Sequence, residues 1–508
     1  MINPCMLRNG QSVPLDQIPL LSIPDFLALV WDRNRGGARV SALFGEPVPG
    51  SSSGAVRLFA VLSHDLKGEL YALSTEVTDR YPSLTADCPQ AHWFERELAE
   101  QWGLIPEGHP WLKPIRFHHS YRAGKDAWNR KPTDPIPCSV TDYFKVEGDQ
   151  IHEVAVGPVH AGVIEPGSFR FMCHGENVYH LEISLGYQHR GVENALRGGP
   201  HKRSMSLMET LAGDTSIGHG LAYCQVVEAM SGSKVPARAM TLRGIGLELE
   251  RLANHTGDLG ALALDVGYLP TSSYCGRLRG DFLNSTMLWC GNRFGRSAVR
   301  PGGTRFDLSA AQIETLKQRI SLASRDLRGA VRLMLDSPSC QARFEDCGRV
   351  SLKDCEDMGL VGPAARACGA DRDIRRDFPL GIFQFAQIPI SMVPTGDLFG
   401  RTLIRWLECQ RSLEFVLSSL DRLPPGPVHS PTTNLRGREF CVSLVEGWRG
   451  EICHVALTDE NGKFTTYKVV DPSFHNWMGL AMALRNQQIS DFPVNNKSFN
   501  LSYCGHDL

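Results

Sequence analysis

The chain has 508 residues, 42% of them apolar, with 53 Lys and Arg against 55 Asp and Glu for a formal net charge of −2. It is too long for one ordinary domain and apolar enough to fill real cores. The charge balance leaves no surplus to follow a phosphate backbone, so no nucleic acid is expected as a partner. No stretch approaches 18 consecutive apolar residues, and the first nine residues carry Pro4 and Arg8 rather than an apolar signal core, so a soluble cytoplasmic chain is expected.

In chain order, Ser51-Ser-Ser-Gly54 precedes an apolar run at 55–62, and residues 65–68 separate it from an alternating run at 69–78 with Tyr71, Leu73 and Val77 on one face. That pattern predicts a hairpin. Around 94–102 the period turns helical and dense in charge. A small α+β domain over 1–118 fits these signs, and the proline-punctuated stretch 119–145, with Pro132, Pro135 and Pro137, reads as a linker.

Strands are predicted at 151–156, 168–173 and 177–185. Ile245, Leu249 and Leu252 then recur at turn spacing, as do Ile313, Leu316, Ile320, Leu327, Val331 and Met334, so a helical bundle is expected at the centre of a domain over 146–508. Ser309 and Gln312 form a capping box at the start of the second of these helices. After Pro424, Pro425 and Pro427 the pattern returns to strands at 440–444, 452–458 and 464–470, with Asn461-Gly462 as a tight turn. The predicted class is α+β, with peripheral strands around helices.

Fifteen cysteines are scattered without a Cys-x-x-Cys pair, and the tightest group, Cys340, Cys347 and Cys355, is too widely spaced for a zinc ribbon or an iron-sulfur cluster. Reduced thiols are the expected state. Arg243-Gly-Ile-Gly-Leu-Glu248 has a Gly-x-Gly but no preceding strand and no third glycine, so it fails as a dinucleotide fingerprint. No phosphate loop is present.

Several motifs occur in a fixed order. They are Gly157-Pro-Val-His-Ala-Gly-Val-Ile-Glu-Pro-Gly-Ser-Phe-Arg170, Gly186-Tyr-Gln-His-Arg-Gly-Val-Glu193, Arg243-Gly-Ile-Gly-Leu-Glu-Leu-Glu-Arg251 with Asn254-His255, and Arg300-Pro-Gly-Gly303. Gly362-Pro-Ala-Ala-Arg366 leads on to Asp373 and Arg375, followed by Gly396-Asp397 with Arg401 and by Glu446-Gly-Trp-Arg-Gly450. This order resembles the large subunit of energy-converting nickel-iron hydrogenases and the homologous 49-kilodalton subunit of respiratory complex I. Ahead of it, Glu95-Arg-Glu-Leu-Ala-Glu-Gln-Trp-Gly-Leu104 with Gly108-His-Pro-Trp-Leu112 is similar to the signature of the 30-kilodalton subunit of complex I. A fusion of the two modules is the arrangement of the formate-hydrogenlyase type.

Two stretches, Glu209-Thr-Leu-Ala-Gly-Asp-Thr-Ser-Ile-Gly-His219 and Ser498-Phe-Asn-Leu-Ser-Tyr-Cys-Gly-His-Asp-Leu508, resemble the halves of the nickel-iron pocket in that family. Each would supply a Cys-x-x-Cys pair. The four cysteine places fall at Ala212, Thr215, Ser502 and Gly505, whose side chains offer no thiolate. The resemblance therefore implies a branch with no nickel-iron centre and no cofactor on this chain. In complex I relatives the same cavity takes a quinone between a histidine and a tyrosine; those places fall near Ile164 or Glu165 and near Gly213, so both donors are missing.

What the resemblance leaves as cavity candidates are His160, Glu165, Arg190, Asp214, Thr215, His219, Ser502 and His506, with Glu250, His255, Asp373, Arg375 and Asp397 as a second, proton-relay set. The implied partners are a small iron-sulfur subunit and antiporter-like membrane subunits, with the chain held at the cytoplasmic face of the membrane. Three readings stay open: coupling of a redox event to ion movement, quinone reduction, and a structural scaffold.

Overall fold

The computed structural model describes residues 3–51, 54–160 and 164–508. Met1 and Ile2 of the N-terminal segment, Ser52 and Ser53 of the first turn, and 161–163 of the glycine-containing loop lie outside the described residues. The fold is α+β, with antiparallel sheets around a bundle of long helices.

The predicted hairpin is present as Val56–His64 and Glu69–Val77, paired antiparallel in a five-stranded sheet with Arg39–Pro47, Cys5–Leu7 and Leu20–Leu21. A helix over Ile23–Arg35 starts at Ser22, whose side chain accepts from the Asp25 N–H. The charged helix His92–Trp102 is buried along nearly its whole length, including Glu95, Arg96, Glu97 and Glu100. Each charge has a reason to be there. Glu95 accepts from the Leu84 and Thr85 amides, Glu100 from those of Arg116 and Phe117, and Arg96 donates to the Lys113 and Pro114 carbonyls.

Glu97 is met by Arg116 and by Lys468, whose Nζ lies 2.6 Å away on the C-terminal strand Phe464–Val470. The sequence signature at 95–104 is thus a docking face. Phe44, Phe59 and Phe440 stack in one column, and one apolar core runs from Leu7 through to Tyr503. The short strand Ser12–Pro14 joins the edge of the C-terminal sheet, pairing with Glu439–Gly447. No helix or strand is assigned between Glu107 and Ile151, yet this stretch packs down: the Tyr121 amide bonds the Gln101 carbonyl and Arg122 bonds that of Trp102.

The strands Ile151–Val156, Ser168–His174 and Asn177–Ser184 form an antiparallel sheet. The bundle is built on Ala237–Asp265, flanked by Leu269–Cys290 and Leu398–Asp421, with Ala310–Leu335 behind. Small residues let the helices approach: a Cβ at Gly246 would meet Trp289 at 2.7 Å. The capping box at Ser309 and Gln312 is formed as expected. The last three predicted strands appear as Glu439–Gly447, Gly450–Thr458 and Phe464–Val470, with Gly462 at φ 72° in the turn. Among the described residues no helix is long and apolar enough to cross a membrane.

Candidate functional site

The loop 209–215 and the C-terminal segment 498–508 meet against the first turn of the buried helix Ser216–Ser231. Arg190 ties the two together: its guanidinium donates to the carbonyls of Thr210 and Leu211 on one side and of Cys504 on the other. Glu165 clamps the second segment, accepting from the Tyr503 and Cys504 amides at 3.1 and 3.2 Å. Both of its oxygens are committed as acceptors.

At the first pair of ligand places, Ala212 is fully buried and Thr215 Oγ1 donates to Asp214. Arg449 grips Asp214 bidentately at 2.6 and 2.7 Å, reaches Thr215 Oγ1, and donates through Nε to the Asn500 carbonyl. Trp448 Nε1 adds a further bond to Thr215 Oγ1. Burial alone would raise the Asp214 pKa, but the Arg449 guanidinium outweighs it and holds the carboxyl below its ordinary range.

At the second pair, Ser502 is the N-cap of the last helix, Tyr503–Asp507, its Oγ accepting from the Gly505 amide at 2.9 Å. A Cβ at Gly505 would lie 2.7 Å from the Asp471 carboxyl carbon. The room that a side chain at 505 would need is therefore taken by Asp471. This carboxylate caps the helix Pro472–Ala483 and accepts from His219 Nε2 at 2.9 Å. His219 continues to His454 (3.1 Å) and His454 to the Tyr467 hydroxyl (2.9 Å), all four side chains buried. Burial and the neighbouring His219 push His454 well below its ordinary pKa, so it is neutral.

His160 and His506 stand apart. His160 packs on Phe169, and its Nε2 has no hydrogen-bond partner among the described residues. The His506 ring lies between Trp93 and Phe474 of the docking face, with Nδ1 on Asp507 and the carbonyl taken by Arg116. Burial lowers its pKa.

The second candidate set divides in three. Glu250 faces the first loop, accepting from the Ile217 and Gly218 amides at 2.7 and 3.1 Å in a small cleft with Asp214 and Asn254. Burial, with Asp214 close by, pushes it up to about 8. His255, Asp373 and Arg375 join an interior ion network. His255 bonds Glu408 at 2.8 Å; Arg366 spans Glu408 and Glu446; Arg375 spans Asp373 and Glu248; Arg251 links Glu248 to Glu408. Asp397 lies elsewhere, as the N-cap of Leu398–Asp421, accepting from Gly400 and Asp346 amides.

Sequence reasoning placed Arg366, Glu446 and Arg449 in motifs without assigning them to the site, and did not single out Asp471, His454 or Glu408. Asp471-Pro-Ser473 carried a helix-start signal that marks its carboxylate as an acceptor. A larger cavity, about 550 Å³, lies away from both loops, between Gln225, Arg243 and Phe383.

Among the described residues, no group of three or more His, Cys, Asp or Glu side chains is placed to hold a metal ion. The four places expected from the resemblance, Ala212, Thr215, Ser502 and Gly505, present a methyl, two hydroxyls and a hydrogen, and both hydroxyls are engaged in hydrogen bonds. Such a donor set does not fit a soft thiolate centre.

A family profile described as respiratory-chain NADH dehydrogenase, 49 Kd subunit, matches residues 265–439, and that of the 30 Kd subunit matches residues 38–132. Hydrogenase-4 component G of Escherichia coli is 30% identical over 428 residues, which cover 82% of this chain and 73% of that protein. The chain belongs to this family of fused 30- and 49-kilodalton subunits. Formate hydrogenlyase subunit 5 of Escherichia coli is 29% identical, covering 82% of the fused subunit and 74% of the relative. NADH-quinone oxidoreductase subunit 4 of Thermus thermophilus is 28% identical, covering 67% of the fused subunit and 90% of its own length. Their names describe subunits of hydrogenase and NADH-quinone oxidoreductase complexes, and the fused subunit is oxidoreductase-related in the same sense.

Proposed function

We propose that the fused subunit is a hydrophilic-arm component of a membrane-bound, complex I-like redox assembly that has given up nickel-iron chemistry and retains the coupling frame. The observation that carries this reading is the refilling of the pocket. Where four thiolates would stand there are Ala212, Thr215, Ser502 and Gly505, with Arg449–Asp214 set against the first pair and Asp471–His219 against the last position.

The partners in this reading are a small iron-sulfur subunit against the two loops and antiporter-like subunits in the membrane, which together hold the chain at the cytoplasmic face. Electrons pass through the neighbour's cluster. The 1–118 module serves as a brace, since Glu97 and Arg116 join it to Lys468 and the His506 carbonyl. Proton transfer in the frame falls to Glu250, which is held near neutrality between its two forms, and to the His255–Glu408 pair.

Quinone reduction gains less support. Among the described residues, Glu165 is bound as an acceptor and a Cβ at Gly213 would meet nothing within 4 Å, which gives a quinone no added support at these places. The test is purification of the tagged assembly from membranes. Co-purification of an iron-sulfur subunit, with no hydrogen-dependent dye reduction, is expected. Hydrogen uptake at the rate of an active hydrogenase would overturn the reading, and isolation of the chain without any such subunit would remove the proposed placement.

A further inference from the structure

The cavity of about 550 Å³ lies between the end of the helix Ser216–Ser231 and the start of Ala237–Asp265, and it has no part in the pocket at the two loops. Its size is that of a small-molecule site, since such pockets run from about 300 to 1,000 Å³. Leu221, Met240, Leu380, Ile382 and Phe383 supply apolar walls. The turn Gly381–Gln384 closes one side because Gly244 carries no side chain: a Cβ there would meet Ile382 at 2.5 Å.

Helical spacing brings Leu221, Gln225 and Glu228 to one side of their helix, so two polar groups line the cavity among these walls. Glu228 is already satisfied. It accepts from both terminal nitrogens of Arg243 and from the Gly302 amide, and Arg243 donates further to the Gly303 and Arg300 carbonyls. The pair is neutral as a whole, and a charged ligand beside it would find no unmatched counter-charge. The other cation that lines the cavity, Lys234, is exposed to solvent.

Gln225 is in a different position. It is 9% exposed, and the Ser443 hydroxyl donates to its Oε1 at 2.7 Å, which fixes the amide with Nε2 at the other end. Among the described residues Nε2 makes no hydrogen bond. A buried N–H donor without a partner is costly, and the larger free space beside this one is the cavity.

We propose that the cavity binds a neutral, largely apolar small molecule bearing one carbonyl oxygen. The oxygen accepts from Gln225 Nε2, and the apolar body lies between Leu221, Met240 and Phe383. Such a ligand touches both the helix whose first turn backs the two loops and the helix that carries Glu250. The binding does not depend on how the loops themselves are read.

The test dialyses the full chain to equilibrium against benzophenone, against diphenylmethane, which has a similar shape without the oxygen, and against diphenylacetate, which is charged. Benzophenone is expected to bind roughly tenfold more tightly than either of the others. Near-ultraviolet irradiation of the benzophenone sample should cross-link it to tryptic peptides 204–234, 239–243 or 377–401, which carry the walls. Gln225→Leu should weaken benzophenone binding roughly tenfold. Ser443→Ala, which keeps the Gln225 amide, should bind as wild type does. Equal binding of benzophenone and diphenylmethane, diphenylacetate binding as tightly as the ketone, cross-links confined to other peptides, or unchanged affinity in a folded Gln225→Leu chain would overturn the proposal. If Gln225→Leu does not fold, the three-ligand comparison on wild type decides.

Discussion

Glu248 and Glu250 sit two residues apart on one buried helix and meet opposite environments. Glu248 faces Arg251, Arg375 and the Ser412 hydroxyl, and although burial alone would raise its pKa, these neighbours hold it below the ordinary carboxylate range. Glu250 points to the first turn of the helix Ser216–Ser231, where two backbone amides are its donors and Asp214 of the preceding loop is a nearby like charge; there burial prevails and the carboxyl is pushed up to about 8. The residue type is the same and the burial is alike. What differs is whether a guanidinium bonds the carboxylate directly, as Arg251 and Arg375 do Glu248, so this one helix carries a charged face and a titrating one.

The charged face can be broken most severely. Arg366→Met strands Glu408 and Glu446 without their shared cation in a dry interior, and the expected loss is about 3–5 kcal/mol in a urea titration. A loss under 1 kcal/mol would mean that water or a counter-ion reaches the network.

The titrating face has a pH signature. The folded-state pKa of Glu250 is raised from 4.5 to about 8, so its protonated form favours folding. That contribution is full below pH 4.5, falls as pH rises through this window, and is gone above about 8. Wild type should therefore lose a few kcal/mol relative to Glu250→Gln between pH 4.5 and 8, and the difference should level off beyond. A pH-independent difference would show that Glu250 ionises at its ordinary pKa.

Gly505→Ala probes the refilled pocket. The new methyl meets Asp471 at 2.7 Å, which predicts a cost of about 1–3 kcal/mol by thermal denaturation. Asp397 gives the smallest effect. Asp397→Ala should cost about 1 kcal/mol by removing a helix cap, whereas Asp397→Asn, which keeps an acceptor, should be nearly neutral. If Asp397→Asn leaves the fold intact but abolishes ion movement in reconstituted vesicles, Asp397 is a relay as well as a cap.

Much of the frame was legible because it is written in short-range patterns. The alternation at 69–78 became Glu69–Val77, the Ser309 and Gln312 pair became a helix start, and Asn461-Gly462 became a turn. The charged run at 94–102 was read as a helix, but its burial was not legible, since the partners that neutralise Glu97 are Arg116 and Lys468, the latter 371 residues away. The altered pocket was half legible. The expected loss of thiols can be read in the sequence, whereas the bonds that Arg449 and Asp471 make at the same places depend on residues more than 230 positions from the first loop. Likewise, nothing local separates Glu248 from Glu250; only the tertiary neighbours do.

Metal content of the intact assembly tests the central claim most directly. Nickel measured against the fused subunit, together with anomalous scattering at the nickel edge, should give no stoichiometric metal between Thr215 and Ser502. One nickel atom per chain at that position would contradict the account.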